Sequence, residues 1–292
     1  MIKNKLMKIL VTGAGGQLGQ ELFRCFKIDN FEIIPVTKIQ MDVTNYAEVN
    51  RIVKYHKPDW IVNCAAYTNV DLAEQNVDKS FEVNTIGPRV LAQASENTET
   101  RLLHISTDAV FSSPEPIFFQ ANSEPNPINQ YGRSKEGGEK ILLKNYFKNS
   151  WIIRTSWLYG EFGGKFMGNV LSAIRKNLPL QIVDDQFGQP TNTKDLAIHI
   201  KRFILEPPVA NVYHFADYGF TSRYDFANEI VQFLNPSRIK ISRSTTLIDT
   251  NTAIRPRYSL LSLGSESVAF DTEFVPWQKS LHQFLKTQES FK

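Results

Sequence analysis

The chain has 292 residues, 42% hydrophobic and 22% charged, a balance that suits one elaborated α/β domain or two small ones and disfavours a fibre, a disordered tail or a disulfide scaffold. Its 33 basic and 30 acidic residues leave a net charge of +3, too small a footprint for nucleic acid or an anionic membrane surface, so neither is an expected partner. The two cysteines, Cys25 and Cys64, form no C-x-x-C pair and read as reduced, buried thiols of a cytoplasmic protein. The apolar run 9–11 ends at Gly13 and is too short for a signal sequence, and no window approaches a membrane-spanning length. Met7 opens MKILVTGAGG, so the first six residues read as a ragged extension or an upstream start.

A β-branched run over 9–12 predicts a strand that passes through a glycine turn into a helix, with Leu18, Leu22 and Phe26 on one face. The plan repeats: strand 31–36, helix 46–56 with Val49, Ile52 and Val53 inward, strand 60–62 after Pro58, a long helix over about 78–96, and strand 102–105. Strands alternating with helices imply a parallel sheet covered on both faces. Over 111–129 the periodicity lapses among Pro114, Pro116, Pro125 and Pro127, predicting a long irregular connection of the kind that carries function. A helix over 131–146 and a strand over 151–154 follow. Beyond Leu158 the alternation weakens, with helices expected over 169–175, 193–205, 223–234 and 277–286. The expected organisation is a Rossmann-like doubly wound α/β domain over 1–157, to which 181–213 returns, and a smaller C-terminal α/β region from 158–180 and 214–292.

Gly13, Gly16 and Gly19 form G-x-x-G-x-x-G between the first strand and helix, where glycine lets a pyrophosphate approach the backbone and the helix N-terminus offers free N–H groups. A tight turn with close helix packing and no ligand is the bland alternative. The second strand ends in Val36, Thr37 and Lys38, with no carboxylate to repel a 2′-phosphate, so NADPH is the expected cofactor and NADH is admitted. Lys38 as a solvated surface charge is equally compatible. Asp42 either holds an adenine amino group or serves a turn. Tyr131 and Lys135 stand four apart at the start of a helix and share a face, where an ammonium is expected to lower the phenol's pKa toward one useful for proton transfer. The preceding strand ends in Ser106-Thr107-Asp108, and Thr107 is either a second donor to the same carbonyl oxygen or a turn residue.

On these residues the chain resembles the extended short-chain dehydrogenase/reductase superfamily and, within it, is similar to the dTDP-4-dehydrorhamnose reductase family. The resemblance runs through GAGGQLG at 13–19, NCAAYTNVDLAE at 63–74, STDAVF at 106–111, NQYGRSKEGGE at 129–139, RTSWLYG at 154–160 and DDQFGQPT at 184–191. It implies that Gly16, Gln17 and Leu18 cradle a pyrophosphate, that Asp42 and Val43 bracket the adenine, and that Ala66, Tyr67 and Thr68 line the cofactor's ribose and phosphate. It further implies that Thr107 and Asp108 meet the sugar, that Tyr131 donates the proton, that Lys135 holds the nicotinamide ribose, and that Trp157 packs on a dTDP-sugar. The implied reaction is reduction of the C4 ketone of dTDP-4-dehydro-L-rhamnose, and a homodimer is compatible with it. Ala109 departs from the aromatic residue that such proteins often carry after STD, and from the glutamate base of related dehydratases, which disfavours dehydration.

Two other readings stay open: a sister reductase acting on another dTDP-4-keto-6-deoxysugar, and a non-catalytic, NADP-binding regulatory subunit of the same fold. Retention of Thr107, Tyr131 and Lys135 together favours catalysis. The five histidines (His56, His104, His199, His214, His282) show no metal-ligand spacing, so no metal is expected. Asn84 either orders a group behind the site or makes a plain helix-to-sheet hydrogen bond, and Arg255 and Arg257 either pair with a diphosphate or form a solvated basic loop.

Overall fold

The computed structural model describes residues 6–27, 31–96, 98–144, 147, 149–234, 239–246, 252–264 and 274–288. Residues 1–5 of the N-terminal extension and residues 145 and 146 of the helix predicted over 131–146 lie outside them.

The first half alternates strand and helix. β1 (Met7–Thr12), α1 (Gln17–Phe26), β2 (Phe31–Val36), α2 (Tyr46–His56) and β3 (Trp60–Asn63) come first. α3 (Val70–Gln75), α4 (Val77–Phe81) and α5 (Gly87–Glu96) then lead into β4 (Arg101–Thr107). The helix expected over 78–96 is therefore interrupted: a π-helical turn, Glu82–Ile86, separates α4 from α5. Such turns concentrate at functional sites because the extra residue re-aims side chains. After β4 come a single 3₁₀ turn (Asp108–Val110), the short β5 (Phe118–Phe119), α6 (Gln130–Leu143) and β6 (Ser150–Thr155).

The second half contributes β7 (Leu158–Tyr159), α7 (Lys165–Lys176), β8 (Leu180–Val183), β9 (Phe187–Gly188), β10 (Thr191–Asn192) and α8 (Thr193–Leu205). β11 (Val212–His214), β12 (Thr221–Ser222), α9 (Arg223–Leu234), β13 (Ile241–Ser244), β14 (Leu260–Leu261) and a last helix, Trp277–Lys286, complete it.

One six-stranded parallel sheet dominates, in the order β11-β6-β4-β3-β1-β2. Its two faces follow from side-chain alternation along each strand. Ile9, Val11, Trp60, Val62, Leu103 and Ile153 point to one side, where they pack with Leu18, Leu22 and Phe26 of α1 and Leu196, Ile200 and Phe203 of α8. Leu10, Ile61, Leu102 and Ile152 point to the other, against Val49 and Val53 of α2 and Val90 and Leu91 of α5. A third core joins α7, α9 and the last helix through Val170, Ile174, Phe226, Ile230 and Leu281. α8 covers α1, and β11 adds the outermost strand beside β6, so residues 193–214 belong to the first sheet's layers. The irregular connection after β4 is tied down by pairing of β5 with β14.

Candidate active site

The C-terminal ends of the parallel strands open onto one edge, where open α/β sheets bind ligands. β1 leads into the glycine turn, β2 into Thr37, β3 into the 64–69 loop, β4 into Asp108, and β6 toward Trp157.

At the first turn the glycines are required by space. Gly13 has φ +63°, and a Cβ there would lie 2.7 Å from the Ala65 nitrogen; a Cβ on Gly19 would lie 2.5 Å from the Gly13 carbonyl oxygen. α1 therefore packs flush on the turn. Its N-terminus is capped by Gly16, with no side-chain hydrogen bond and no acidic residue in the first turn. The amides of Gln17, Leu18 and Gly19 thus open the helix without intrahelical acceptors. The Gln17 Nε2 is buried and has no hydrogen-bond partner. Uncompensated donors around a helix N-terminus fit a diphosphate.

Around this turn the adenosine-side candidates divide. Thr37 stands beside it, its Cγ2 3.9 Å from where a Gly15 Cβ would be, and its amide and hydroxyl both donate to the Gln40 side chain. Lys38 is exposed. Asp42 serves a turn, its Oδ1 accepting from the Thr44 amide (2.9 Å) and hydroxyl (2.8 Å), and these hydrogen bonds hold its carboxyl below the usual range. Val43 is a core residue in contact with Gly87 at the start of α5. Ala66, Tyr67 and Thr68 form the loop after β3. Asn84, fully buried on the π-helical turn, clamps that loop: its Oδ1 accepts from the Tyr67 amide at 2.8 Å, and its Nδ2 donates to the Tyr67 carbonyl and to the Ser134 hydroxyl. The two options open in the sequence for Asn84 resolve into one that orders backbone behind the site.

Tyr131 and Thr107 come near one another, and Lys135, one turn along the helix, reaches β4 at Ile105. Tyr131 lies near enough to Thr107 and Asp108 for both to act on its phenol. Thr107 also caps the 3₁₀ turn, accepting from the Ala109 amide at 3.1 Å, and donates to Asp108 Oδ1 at 3.1 Å. Asp108 Oδ2 accepts from Ser259 at 2.6 Å, and burial raises the Asp108 carboxyl above its ordinary value against that hydrogen bond. Asn129 caps α6 by accepting from the Gly132 amide at 2.8 Å, which fixes the turn bearing Tyr131. Gly132 permits close approach: a Cβ there would lie 2.3 Å from the Ala109 carbonyl oxygen.

One expectation is reversed. Lys135 does not lower the Tyr131 phenol; burial pushes that group up to about 12, the Thr107 hydrogen bond opposes this, and the Asp108 carboxylate adds to it. The Lys135 amine instead donates to the Ile105 carbonyl at 2.6 Å and stands 3.3 Å from His104 Nε2. The phenol is thus held protonated, the state a proton donor needs before it reacts.

Trp157 borders the same edge with a left-handed backbone, φ +44°, rare for a bulky residue. A Cβ on Gly188 would lie 2.3 Å from its ring, and the Arg223 guanidinium lies over its face, 3.4 Å from the centroid. Arg223 is not among the residues that the sequence motifs mark. Burial lowers its pKa to about 10, against the attraction of Asp108 and with the repulsion of Arg255. Nothing in the local pattern marks it, since it is one more arginine opening a helix until the chain returns to the sheet. Arg255 is not a freely solvated charge: it pairs with Asp71 at 2.7 Å. Arg257 lies over the Tyr258 ring.

Comparison with known proteins shows the fold and the family. The RmlD substrate binding domain family matches residues 7–290. The spore coat polysaccharide biosynthesis protein SpsK of Bacillus subtilis is 36% identical over 98% of this chain and 99% of its own length. A dTDP-4-dehydrorhamnose reductase of Aggregatibacter actinomycetemcomitans is 35% identical over 94% of this chain and 97% of its own. The crystal structure of dTDP-4-dehydrorhamnose reductase from Bacillus anthracis in complex with NADP superposes with a TM-score of 0.91 at 32% identity, covering 98% of this chain and 99% of that one. With its glycine turn, its Thr107–Tyr131 pair and this full-length similarity, the chain belongs to the RmlD substrate binding domain family of NAD(P)-dependent dTDP-keto-sugar reductases.

Proposed function

We propose that the protein reduces the C4 ketone of dTDP-4-dehydro-L-rhamnose with NADPH, giving dTDP-L-rhamnose. The observation that carries this reading is the buried Tyr131 phenol beside Thr107 and Asp108, at the sheet edge that also presents the glycine turn. Bound NADPH would supply the hydride. Its diphosphate fits the amides of Gln17 and Leu18, and the absence of a carboxylate at Val36, Thr37 and Lys38 supports NADPH over NADH.

Tyr131 donates its proton to the carbonyl oxygen as negative charge develops, and Thr107 turns its hydroxyl hydrogen from Asp108 toward the same oxygen. Ser259 keeps Asp108 in place while this happens. Trp157 offers a rigid face to the sugar nucleotide, and Arg223 and Arg255, close enough to repel one another, are suited to its diphosphate. Ala109 leaves a small side chain beside Thr107, which favours testing a second dTDP-4-keto-6-deoxysugar alongside the first.

The test is NADPH oxidation with each keto-sugar, with the product's C4 configuration read by NMR. Tyr131→Phe is expected to cut turnover by about 10²-fold or more, as loss of a general acid does, while NADPH still binds. Near-normal turnover in that variant would sink the assignment.

A further inference from the structure

Behind Lys135 lies a run of buried polar groups that the reaction above does not use: Thr12, Asn63 and His104, each at most 1% exposed. Their donors and acceptors can be assigned from one fixed point. The Ala65 amide can only donate, and it points at Asn63 Oδ1 at 3.2 Å, which identifies that atom as the amide oxygen. The Thr12 hydroxyl donates to the same oxygen at 2.6 Å. The other end of Asn63 is therefore its NH₂ group, 2.9 Å from His104 Nδ1, which must accept. A neutral imidazole that accepts at Nδ1 carries its hydrogen on Nε2. That N–H faces Lys135 Nζ at 3.3 Å.

An ammonium has three donors and no acceptor, so an N–H opposite it disfavours it. A neutral amine fits: it accepts from His104 and donates to the Ile105 carbonyl. The other groups facing Nζ permit this. Glu139 is committed to a buried pair with Arg154, and the Cys64 thiol is pushed up to about 12 by burial and so carries no charge. Tyr131, on the same helix, is held neutral. Burial lowers the lysine to about 8, with Glu139 opposing, and it keeps His104 well below its ordinary value.

We propose that His104 is a positioning residue acting through Lys135: fixed by Asn63 as the Nε2–H tautomer, it favours the neutral amine in the ligand-free site, so that in the alkaline range Lys135 takes up a proton and releases the ring when the dinucleotide binds. The proton comes from solvent and stays on Nζ, and no other bond changes. The inference rests on the dinucleotide reading above, in which ribose hydroxyl oxygens lie at Nζ and accept from an ammonium that the ligand's negative charge also favours.

Two measurements test it. The first uses the ligand-free wild-type protein with ¹⁵N-labelled histidine, the His104 signals being assigned by their loss in His104→Gln. It should show a neutral Nε2–H ring at pH 9; an Nδ1–H ring or an imidazolium there overturns the proposal, whether or not the protein binds NADPH. The second measures NADPH affinity by fluorescence against pH. Single-proton uptake makes Kd weaken by a factor approaching ten per pH unit above about pH 8. In His104→Gln, whose amide oxygen can accept from an ammonium, the slope should largely vanish. A flat wild-type profile, or an unchanged slope in the variant, overturns it. Failure of the wild-type protein to bind NADPH at any pH defeats the cofactor reading instead, and the tautomer still decides the role of His104. If the variant does not fold, the wild-type slope alone tests the proton uptake.

Discussion

Trp157 shows what a single residue sacrifices for a site. Its left-handed backbone costs about 1–3 kcal/mol in a bulky residue, and the surroundings hold it there: Gly188 leaves room for the indole edge and Arg223 covers its face. Arg223 is enclosed, near Asp108 but also near Arg255, an arrangement that the diphosphate of the proposed substrate would relieve. Charge-assisted hydrogen bonds contribute about 1.5–3 kcal/mol, and 1.4 kcal/mol is a factor of ten. Arg223→Met is therefore expected to raise KM for the dTDP-sugar by roughly 10- to 100-fold while NADPH affinity stays as it was. A change confined to NADPH binding would place this arginine at the other ligand.

α6 carries Tyr131 and Lys135, and its position is set from three sides. Gly138 and Gly137 let it lie against the π-helical turn, where added Cβ atoms would come within 2.3 Å of the Asn84 carbonyl oxygen and 2.6 Å of the Thr85 hydroxyl. Glu139 then reaches β6, taking 2.7 and 3.0 Å hydrogen bonds from Arg154, and also accepts from Ser106 of β4. Both members of this ion pair are 2% exposed, so removing one leaves the other charged and uncompensated. Glu139→Gln should lower stability by about 3–5 kcal/mol in denaturant unfolding. A loss below 1 kcal/mol would mean water reaches the guanidinium. Much of this element level was legible in the sequence. The helices Tyr46–His56, Thr193–Leu205, Arg223–Leu234 and Trp277–Lys286 fall at their predicted bounds, because a long 3.6-residue repeat reports the buried face directly. The glycine turn and the Thr107, Tyr131 and Lys135 trio were legible because they are local motifs in chain order. The π-helical turn, the two-residue strands and β11 were not, being too short for a period to show. Neither was Arg223, nor the direction of the Tyr131 shift, since both depend on groups that only the tertiary fold brings near.

Across the whole molecule, one buried histidine ties the parallel sheet to the chain that returns over it. His214 ends β11, and its Nε2 lies 3.2 Å from Arg154 Nη1, which can only donate. The ring's hydrogen is therefore on Nδ1, where it is given to the Ser262 carbonyl beyond β14 at 3.2 Å. Arg154 in turn donates to the Ala121 carbonyl at 3.1 Å, so β6, β11, the connection after β4 and the β14 segment meet at a neutral imidazole. Burial, and secondarily the adjacent guanidinium, lowers its pKa to about 3, whereas the unfolded chain's histidine titrates near 6.5. Between those values the unfolded state binds more protons than the native one, so stability falls as pH drops from about 6.5 toward 3. His104, also lowered by burial, adds in the same direction. His214→Gln removes one of the two titrations while keeping a polar side chain in the gap. Urea midpoints at pH 7 and 4.5 should then differ less in the variant than in the wild type, even if both of its midpoints are lower. An equal difference in the two proteins would show that His214 takes up its proton without unfolding, and that the junction opens to water in acid.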